Sequence, residues 1–307
     1  MDALTHLIQL AHPQANLELR CLFEGGFSID HERRPSGDAP FHLVLAGNCV
    51  VKPKRGAALT LQAGDFVLFP RGGEHRINAI GKHAQNASVE LGHNGMLPLR
   101  QIGNTERADV DLLCGRFDYQ SGPTSLLLHA LPDPLHVSLA DTQAPALQTL
   151  VALMRDEAER RQPGALAIVT ALSHALLALA LRTYGEKQDG AANLLSLLTD
   201  ARLRISVNAM LNEPGHAWTI AELGDLAAMS RATYARHFQS RAGITVGEFL
   251  LQIRMTIASK LLRETTRTAA DIGMEIGYQS EAAFGKAFAQ QVGMTPGRYR
   301  TALTVRS

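Results

Sequence analysis

A chain of 307 residues is about twice the length of a common domain, which predicts more than one folded unit and excludes a single small module. Hydrophobic residues make up 46% and charged residues 19%, a balance that can fill cores and excludes disordered and collagen-like chains. The net charge of +1 hides an asymmetry: from Asn208 onward there are 11 Lys/Arg against 8 Asp/Glu, so the basic excess is C-terminal. Three cysteines, Cys21, Cys49 and Cys114, are too few for a disulfide framework, and no secretory signal opens the chain, so a cytoplasmic protein is expected. The apolar run from Ala165 to Leu181 contains Thr170, Ser173 and His174 and is short for a bilayer. It predicts a buried helix or dimer seam, with no membrane partner.

From about Leu17 to Leu131 short apolar stretches alternate with turn residues: FHLVLAG, CVVKP, LTLQAGDFVLFPRGGEH, DLLCGRF and TSLLLHALP, with Gly47, Pro53, Gly64 and Gly72 between runs. Period-two alternation of this kind predicts an antiparallel β domain. Between Gly81 and Asp109 the sequence turns polar, which predicts a long loop or insertion. From Pro145 the period becomes that of a helix. PALQTLVALMRDEAERRQ ends at Pro163, and GALAIVTALSHALLALALRTYG follows, apolar around nearly its whole cylinder. Both faces of that second helix are expected to be buried, one by a second subunit. Lys187 to Asn193 reads as a polar hinge before a further helix, LLSLLTDARLRISVNAML.

The last third holds an internal repeat. SRATYARHFQSRAGIT from Ser230 aligns with SEAAFGKAFAQQVGMT from Ser280, matching Tyr234 with Phe284, Phe238 with Phe288, Gly243 with Gly293 and Thr245 with Thr295. Each copy follows a short amphipathic helix opened by a threonine cap, Thr219 or Thr268. A serine N-cap, an inward aromatic pair at i and i+4, and outward residues between them describe helix-turn-helix geometry. The outward set at the start of each second helix is Ser230, Arg231, Ala232, Thr233, Ala235 and Arg236 in one copy, and Ser280, Glu281, Ala282, Gly285 and Lys286 in the other. These are the candidate contacts to double-stranded DNA, with Arg236 able to pair bidentately with guanine and Lys286 able to grip a phosphate or a base. The spacer Thr245 to Glu264 would span about 30 Å as a helix, close to the roughly 34 Å of one DNA turn.

The segment IASKLLRETTRTAADIGMEIGYQSEAAFGKAFAQQVGMTPGRYR resembles the signature of the AraC/XylS family of transcription regulators, including its GY, its F-x3-F and its ending at Tyr299 and Arg300. That resemblance implies sequence-specific DNA binding, commonly activation through RNA polymerase. In the N-terminal part, GDFVLFPRGGEHRIN fits a cupin motif, G-x5-P-x-G-x2-H, with Gly64, Pro70, Gly72 and His75 in place. The first cupin motif is reduced to His42, without the His-x-His and carboxylate of a metal enzyme. A non-enzyme is therefore expected, with His42 and His75 as weak candidates for a metal ion. The opening MDALTHLIQLAHPQANLELRC, His42, His75 and the LLCG around Cys114 together resemble a subgroup of these activators that responds to reactive chlorine species. The resemblance implies that Cys21 and Cys114 are its redox pair.

A reactive thiolate needs cationic neighbours, and Arg20 and Arg116 are the sequence neighbours on offer. Three other readings remain open: buried structural cysteines, a zinc site made of Cys21, Cys114, His42 and His75, and a small-molecule effector in the barrel. The expected architecture is a multidomain α+β protein. A cupin-like β-barrel sensor with helices covers residues 1–132, a helical linker and dimerisation region 133–205, and an all-α double helix-turn-helix domain of seven helices 206–307. The expected function is a homodimeric DNA-binding regulator gated by cysteine oxidation, or alternatively by a small molecule or metal in the barrel.

Overall fold

The computed structural model describes residues 1–81, 90–93, 96–104, 107–119, 126–138, 145–160, 162–187 and 193–304. By contact the chain forms two units, one of residues 13–119 and 131–184, the other of residues 1–12, 120–130 and 185–307.

The first unit carries β1 (Gln14–Phe23), β2 (Ser28–His31), β3 (Asp38–Pro53), β4 (Leu59–Gln62), β5 (Phe66–Leu68), β6 (His75–Ala79), β7 (Glu90–His93), β8 (Pro98–Ile102), β9 (Val110–Asp118) and β10 (Leu135–Val137). They make one curled sheet, a half-barrel, in the order β10-β5-β3-β9-β1-β8-β7, with β4 and β6 paired to β3 and β2 paired to β6. The long strand β3 pairs with β5 and β9 over its first half and with β4 and β6 over its second. It turns at Gly47, where φ is +77° and an added Cβ would stand 1.8 Å from the Asp109 carbonyl oxygen. Only glycine fits both demands.

Two expectations for this unit change. The polar stretch expected as a loop contains β7 and β8 among its described residues, and β8 pairs with β1 in parallel, Arg100 beside Cys21. Polarity concealed these strands because β7 is exposed along its whole length and β8 along part of it. The stretch expected as a strand around Leu126 is a helical turn, α2 (Leu126–His129), which belongs to the other unit.

Helices α3 (Pro145–Arg160) and α4 (Ala165–Lys187) match the periodicity of the sequence. The buried Arg20 side chain ties β1 to β9 and to α3: its Nε and Nη2 donate to the two Asp111 carboxylate oxygens at 3.0 and 2.7 Å, and its Nη1 donates to the Ala158 carbonyl at 2.9 Å. On α4, His174 Nδ1 lies 3.1 Å from the Thr170 carbonyl, and its Nε2 lies 3.1 Å from the Pro13 carbonyl and 3.3 Å from the Ala15 amide, which ties α4 to the start of β1. Val169, Ser173, Leu176, Leu177, Ala180 and Leu181 are buried within the chain, whereas Leu166 and Ile168 of α4 and Leu153 of α3 are exposed. Only part of α4's apolar surface is therefore covered within one chain. Its length and composition would suit a membrane span, but the buried side is that of a core helix.

The second unit holds α1 (Ala3–Ala11), α2, α5 (Leu194–Thr199), α6 (Leu203–Asn212), α7 (Ile220–Leu226), α8 (Arg231–Ala242), α9 (Val246–Glu264), α10 (Ala269–Glu275), α11 (Glu281–Val292) and α12 (Pro296–Thr304). The helix expected from Leu194 to Leu211 breaks in two at Asp200. Its carboxylate turns back to accept from the Arg202 and Leu203 amides, both at 3.1 Å, and from His237 Nε2 at 2.7 Å, which starts α6 afresh. Most of the polar hinge before α5, residues 188–192, lies outside the described residues. Helix α1 packs against α2, α6 and α9, so the first twelve residues join the helical unit although the half-barrel follows them directly in sequence.

Removing one partner of the Arg20–Asp111 pair leaves a buried charge. Asp111→Ala should lower the unfolding free energy by about 3–5 kcal/mol, and the double variant Arg20→Met/Asp111→Leu by clearly less. Urea unfolding of the three proteins checks this; equal losses in both variants would show that packing, not charge, sets the cost.

Candidate functional site

The helical unit repeats one construction twice. Thr219 and Thr268 cap the first helix of each copy, accepting from the Glu222 and Asp271 amides. Ser230 and Ser280 cap the second, accepting from the Thr233 and Ala283 amides. Tyr234, Phe238, Phe284 and Phe288 are fully buried, and Gly243 and Gly293 end α8 and α11 in the left-handed conformation. Between the copies, Thr245 caps α9 in a reciprocal pair with Glu248, and the 19 residues of α9 give a rod of about 28 Å. Tyr299 packs on Phe288 with ring centroids 5.5 Å apart, and Arg300 bonds the Leu262 and Arg267 carbonyls, so these two residues lock α12 to the second copy.

This framing leaves Ser230, Arg231, Ala232, Thr233 and Arg236 exposed on α8, and Ser280, Glu281, Ala282 and Lys286 exposed on α11, with Ala235 and Gly285 half-buried. Each set forms one outward surface at the start of a second helix. Two features of the repeat escaped the sequence reading. Gly224 and Gly273 stand where the first helix crosses the second: a Cβ would lie 2.9 Å from the Met229 carbonyl oxygen in one copy and 3.0 Å from Phe284 Cβ in the other. The turns contain Ala228 at φ +53° and Gly277 at φ +91°. Aligning the first helices at their threonine caps, a 49-residue offset, would have matched both pairs.

The second site lies on the inner face of the half-barrel. Strand register puts Cys114 opposite Leu19 on β1 and opposite His42 on β3, and puts Cys21 two residues further along β1. The Cys21 and Cys114 sulfurs are 3.9 Å apart, His42 Nδ1 is 3.1 Å from Cys114 Sγ, and His42 Nε2 is 2.7 Å from His75 Nε2. His75 Nδ1 is 2.8 Å from the Gly73 carbonyl. A carbonyl only accepts, so His75 Nδ1 carries the hydrogen and, in the neutral ring, Nε2 is bare. His42 must then donate from Nε2 and accept at Nδ1, which orients the Cys114 S–H toward His42 and the Cys21 S–H toward Cys114. One backbone carbonyl thus sets the direction of the whole chain.

Burial keeps these groups neutral. His31 is held down to about 3 by burial and the neighbouring His75, His75 to about 4 by burial, and His42 well below its usual value by burial and both other imidazoles. The hydrogen bond with Cys21, with burial behind it, holds the Cys114 thiol well above the ordinary range; burial and the Asp65 charge push Cys49 up to about 12. The expected cationic neighbours are not on the thiols. Arg20 points to the opposite face of β1 and is spent on Asp111, while Arg116 pairs with Glu18 and Asp118. Successive strand residues face opposite ways, so Arg20 and Cys21 cannot share a side. The partner of Cys114 is an imidazole instead.

The four residues of the supposed zinc site come together, but as a chain. Cys114 and His75 sit on opposite nitrogens of His42, so they cannot share a tetrahedral ion with it. The group suited to an ion is His31, His42 and His75, whose ligand nitrogens all lie within 4.8 Å of one another. His31 faces His75 in the β2–β6 pairing and stacks on its ring at 4.7 Å. No local motif marks His31; only the pairing of β2 with β6 reveals it. The Gly73 carbonyl orients His75 as it would a metal ligand, although the 2.7 Å between Nε2 atoms would have to open to about 3.3 Å for both to bind one zinc ion.

Comparison with known proteins agrees with both halves. The profile of the cupin family matches residues 2–186 and that of the helix-turn-helix domain matches residues 223–302. The chain is 32% identical over 305 residues to a protein of Haemophilus influenzae named an uncharacterized HTH-type transcriptional regulator, covering 99% of this chain and 100% of that one. It is 32% identical over 306 residues to the HTH-type transcriptional regulator MtrA of Neisseria gonorrhoeae, covering 98% of each. It is 28% identical over 302 residues to the RCS-specific HTH-type transcriptional activator RclR of Escherichia coli, covering 98% of this chain and 97% of that one. Fold and relatives define a DNA-binding transcription regulator with an N-terminal cupin domain. The chain belongs to the AraC-type family of such regulators.

The neutral histidines make stability depend on pH. Their pKa values are depressed in the folded state, so the stability they contribute is complete above the unfolded value of 6.5 and is lost as pH falls through about 4 and then 3. Acidification from pH 7 to 4 should therefore destabilise the half-barrel, and His75→Phe should flatten the dependence. Urea midpoints across that range, read by far-UV circular dichroism, decide it.

Proposed function

We propose that this regulator binds promoter DNA through the outward residues of α8 and α11, set in successive major grooves by α9, and that oxidation of Cys21 and Cys114 switches it. The observation that carries the switch is the 3.9 Å approach of the two sulfurs, with an imidazole nitrogen 3.1 Å from one of them. The sulfurs need to close by about 1.9 Å to bond. At rest Cys114 is a thiol, and His42 Nδ1 is placed to take its proton as sulfur attacks an oxidant, which substitutes for a standing thiolate. The relative named RCS-specific supports reactive chlorine as the oxidant, and its name as an activator supports activation with RNA polymerase as partner.

Chain connectivity supplies a route from thiols to DNA. Strand β1, which carries Cys21, begins just after α1, and β9, which carries Cys114, leads toward α2. Both helices pack on α9, the rod between the two DNA-reading copies. A change in the β1–β9 pairing therefore pulls on two segments that bear on the same helix. The exposed Leu153, Leu166 and Ile168 support a homodimer through α3 and α4. Ile168→Asp is the informative variant: the protein should sediment as a monomer, and an unchanged mass would remove that seam. Leu177, buried within the chain, would report folding instead.

The experiment is a titration of reduced protein with DNA from its own upstream region, with and without one equivalent of hypochlorous acid, on wild type, Cys21→Ser and Cys114→Ser. Oxidation should shift the affinity or the transcription output of wild type and leave both variants unmoved; an indifferent wild type would remove the thiol switch. In the same titration Arg236→Ala should weaken specific binding by about 1–3 kcal/mol, and unchanged affinity would remove Arg236 from the interface. In vitro transcription with RNA polymerase separates activation from repression. A second reading rests on the three converging imidazoles, which could hold a zinc-like ion as the effector. Metal content of the purified protein, lost in His42→Ala, would favour it.

A further inference from the structure

We infer that Gly215, Arg254 and Gly277 form a clasp that holds one helix-turn-helix copy against the other, and so sets the spacing between half-sites that the protein accepts on DNA. This rests on the reading above, in which α8 and α11 enter successive major grooves, and adds the residues that fix their distance and phase.

Each copy builds its core on its own half of α9. In the first, Phe238 packs on Phe249 near the start of the rod, ring centroids 5.5 Å apart, and the Tyr234 hydroxyl donates to Ser206 Oγ at 2.9 Å. In the second, Phe284 and Phe288 share a buried cluster with Met255, Ala258 and Leu262 from the other half. The rod therefore fixes how far apart the copies stand along its axis. Because they pack on separate halves, their relative rotation depends on what joins them directly.

That join lies at mid-rod. Residues 213–218 lead from α6 into the cap of α7 as a loop that bonds itself: the His216 amide donates to the Glu213 carbonyl at 3.2 Å, Trp218 Nε1 donates to the same carbonyl at 3.0 Å, and the His216 and Trp218 rings stand 4.3 Å apart. Arg254, at the middle of α9, reaches into this loop. Its Nε donates to the Pro214 carbonyl at 2.7 Å and its Nη2 to the His216 carbonyl at 2.9 Å. Gly215 lies between those two residues, and the turn of the second copy lies against it. A Cβ on Gly215 would stand 2.3 Å from the Glu275 carbonyl oxygen; one on Gly277 would stand 2.5 Å from the Gly215 carbonyl oxygen and 2.9 Å from Arg254 Nη2.

The contact, more than the turn, calls for these glycines. Gly215 has no left-handed φ, so a side chain there is excluded by the second copy alone. At the corresponding turn of the first copy Ala228 takes φ +53° with a side chain in place, so Gly277, at φ +91°, is required above all by its closeness to Gly215. The tie across the join also calls for arginine, because a planar guanidinium holds two carbonyls in fixed directions where an ammonium would not. DNA makes such rigidity consequential. One base pair more or less between half-sites moves the second groove by about 3.4 Å along the axis and about 34° around it, a shift that two backbones this close cannot absorb.

Arg254, Gly215 and Gly277 are positioning residues, and operator spacing is the readout that separates positioning from mere stability. Hydroxyl-radical footprinting of full-length wild type on DNA from its own upstream region locates the half-sites. Fluorescence anisotropy then compares duplexes of that spacing with duplexes that have one base pair added or removed between the half-sites. Wild type should lose roughly tenfold or more in affinity from either change, as from a misread base pair. Arg254→Ala and Gly215→Ala should shrink that loss to about threefold or less, and Arg254→Lys should restore part of it. Variants that bind every duplex more weakly but keep the wild-type ratio would show a structural role alone and overturn the clasp. Wild type that is indifferent to scrambling one whole half-site would overturn the two-groove reading and the clasp with it. If circular dichroism shows that either alanine variant does not fold, Arg254→Gln carries the same comparison with the same outcomes.

Discussion

The pairing of β1 with β9 is the constraint on which the N-terminal half depends. Its register sets Arg20 opposite Leu113 and Cys21 opposite Leu112, so two diagonal pairs arise on opposite faces of the same two strands. On one face Arg20 meets Asp111 and holds α3; on the other Cys21 meets Cys114 and, through β3, His42. A slip of one residue would turn both pairs over together, exposing the thiols to α3 and the ion pair to the core. The buried charge pair thus also defends the alignment of the sulfurs, because it is satisfied in one register only.

Inside the half-barrel, desolvation outweighs charge. Three imidazoles that would be half-protonated near neutrality in water are neutral here, and their hydrogen bonds take one direction from the Gly73 carbonyl inward to the thiols. A chain of neutral donors and acceptors costs little to bury and still gives the sulfur a proton acceptor at close range. This differs from the arrangement suggested by Arg20 and Arg116 in the sequence, in which a permanent cation would hold a thiolate. Arg33, Arg34 and Arg100 do line the cavity beside the imidazoles, but Glu18, Asp30 and Glu32 line it with them.

The helical unit was largely legible in the sequence because its determinants are local. Caps, aromatic pairs and terminal glycines act within one or two turns, so Ser230, Ser280, Thr245 and Gly293 announce their roles by spacing alone. The break at Asp200 was not legible, since Asp200 gains its capping role with the help of His237, far along the chain. Helix α1 likewise shows an amphipathic pattern, but nothing in that pattern says which unit it will join.

The sequence by itself determined a cupin-like β domain ahead of a double helix-turn-helix, the outward residues of its second helices and the identity of Cys21, Cys114, His42 and His75 as the residues to watch. Periodicity and capping are properties of neighbouring residues, and they survive without knowledge of the fold. The tertiary structure alone decided that His31 joins His42 and His75, that Arg20 belongs to Asp111 rather than to Cys21, and that Cys114 lines a cavity together with the three histidines. Those are matters of strand register and side-chain face, set by pairings between segments tens of residues apart, and a single-residue change of register would rewrite them all.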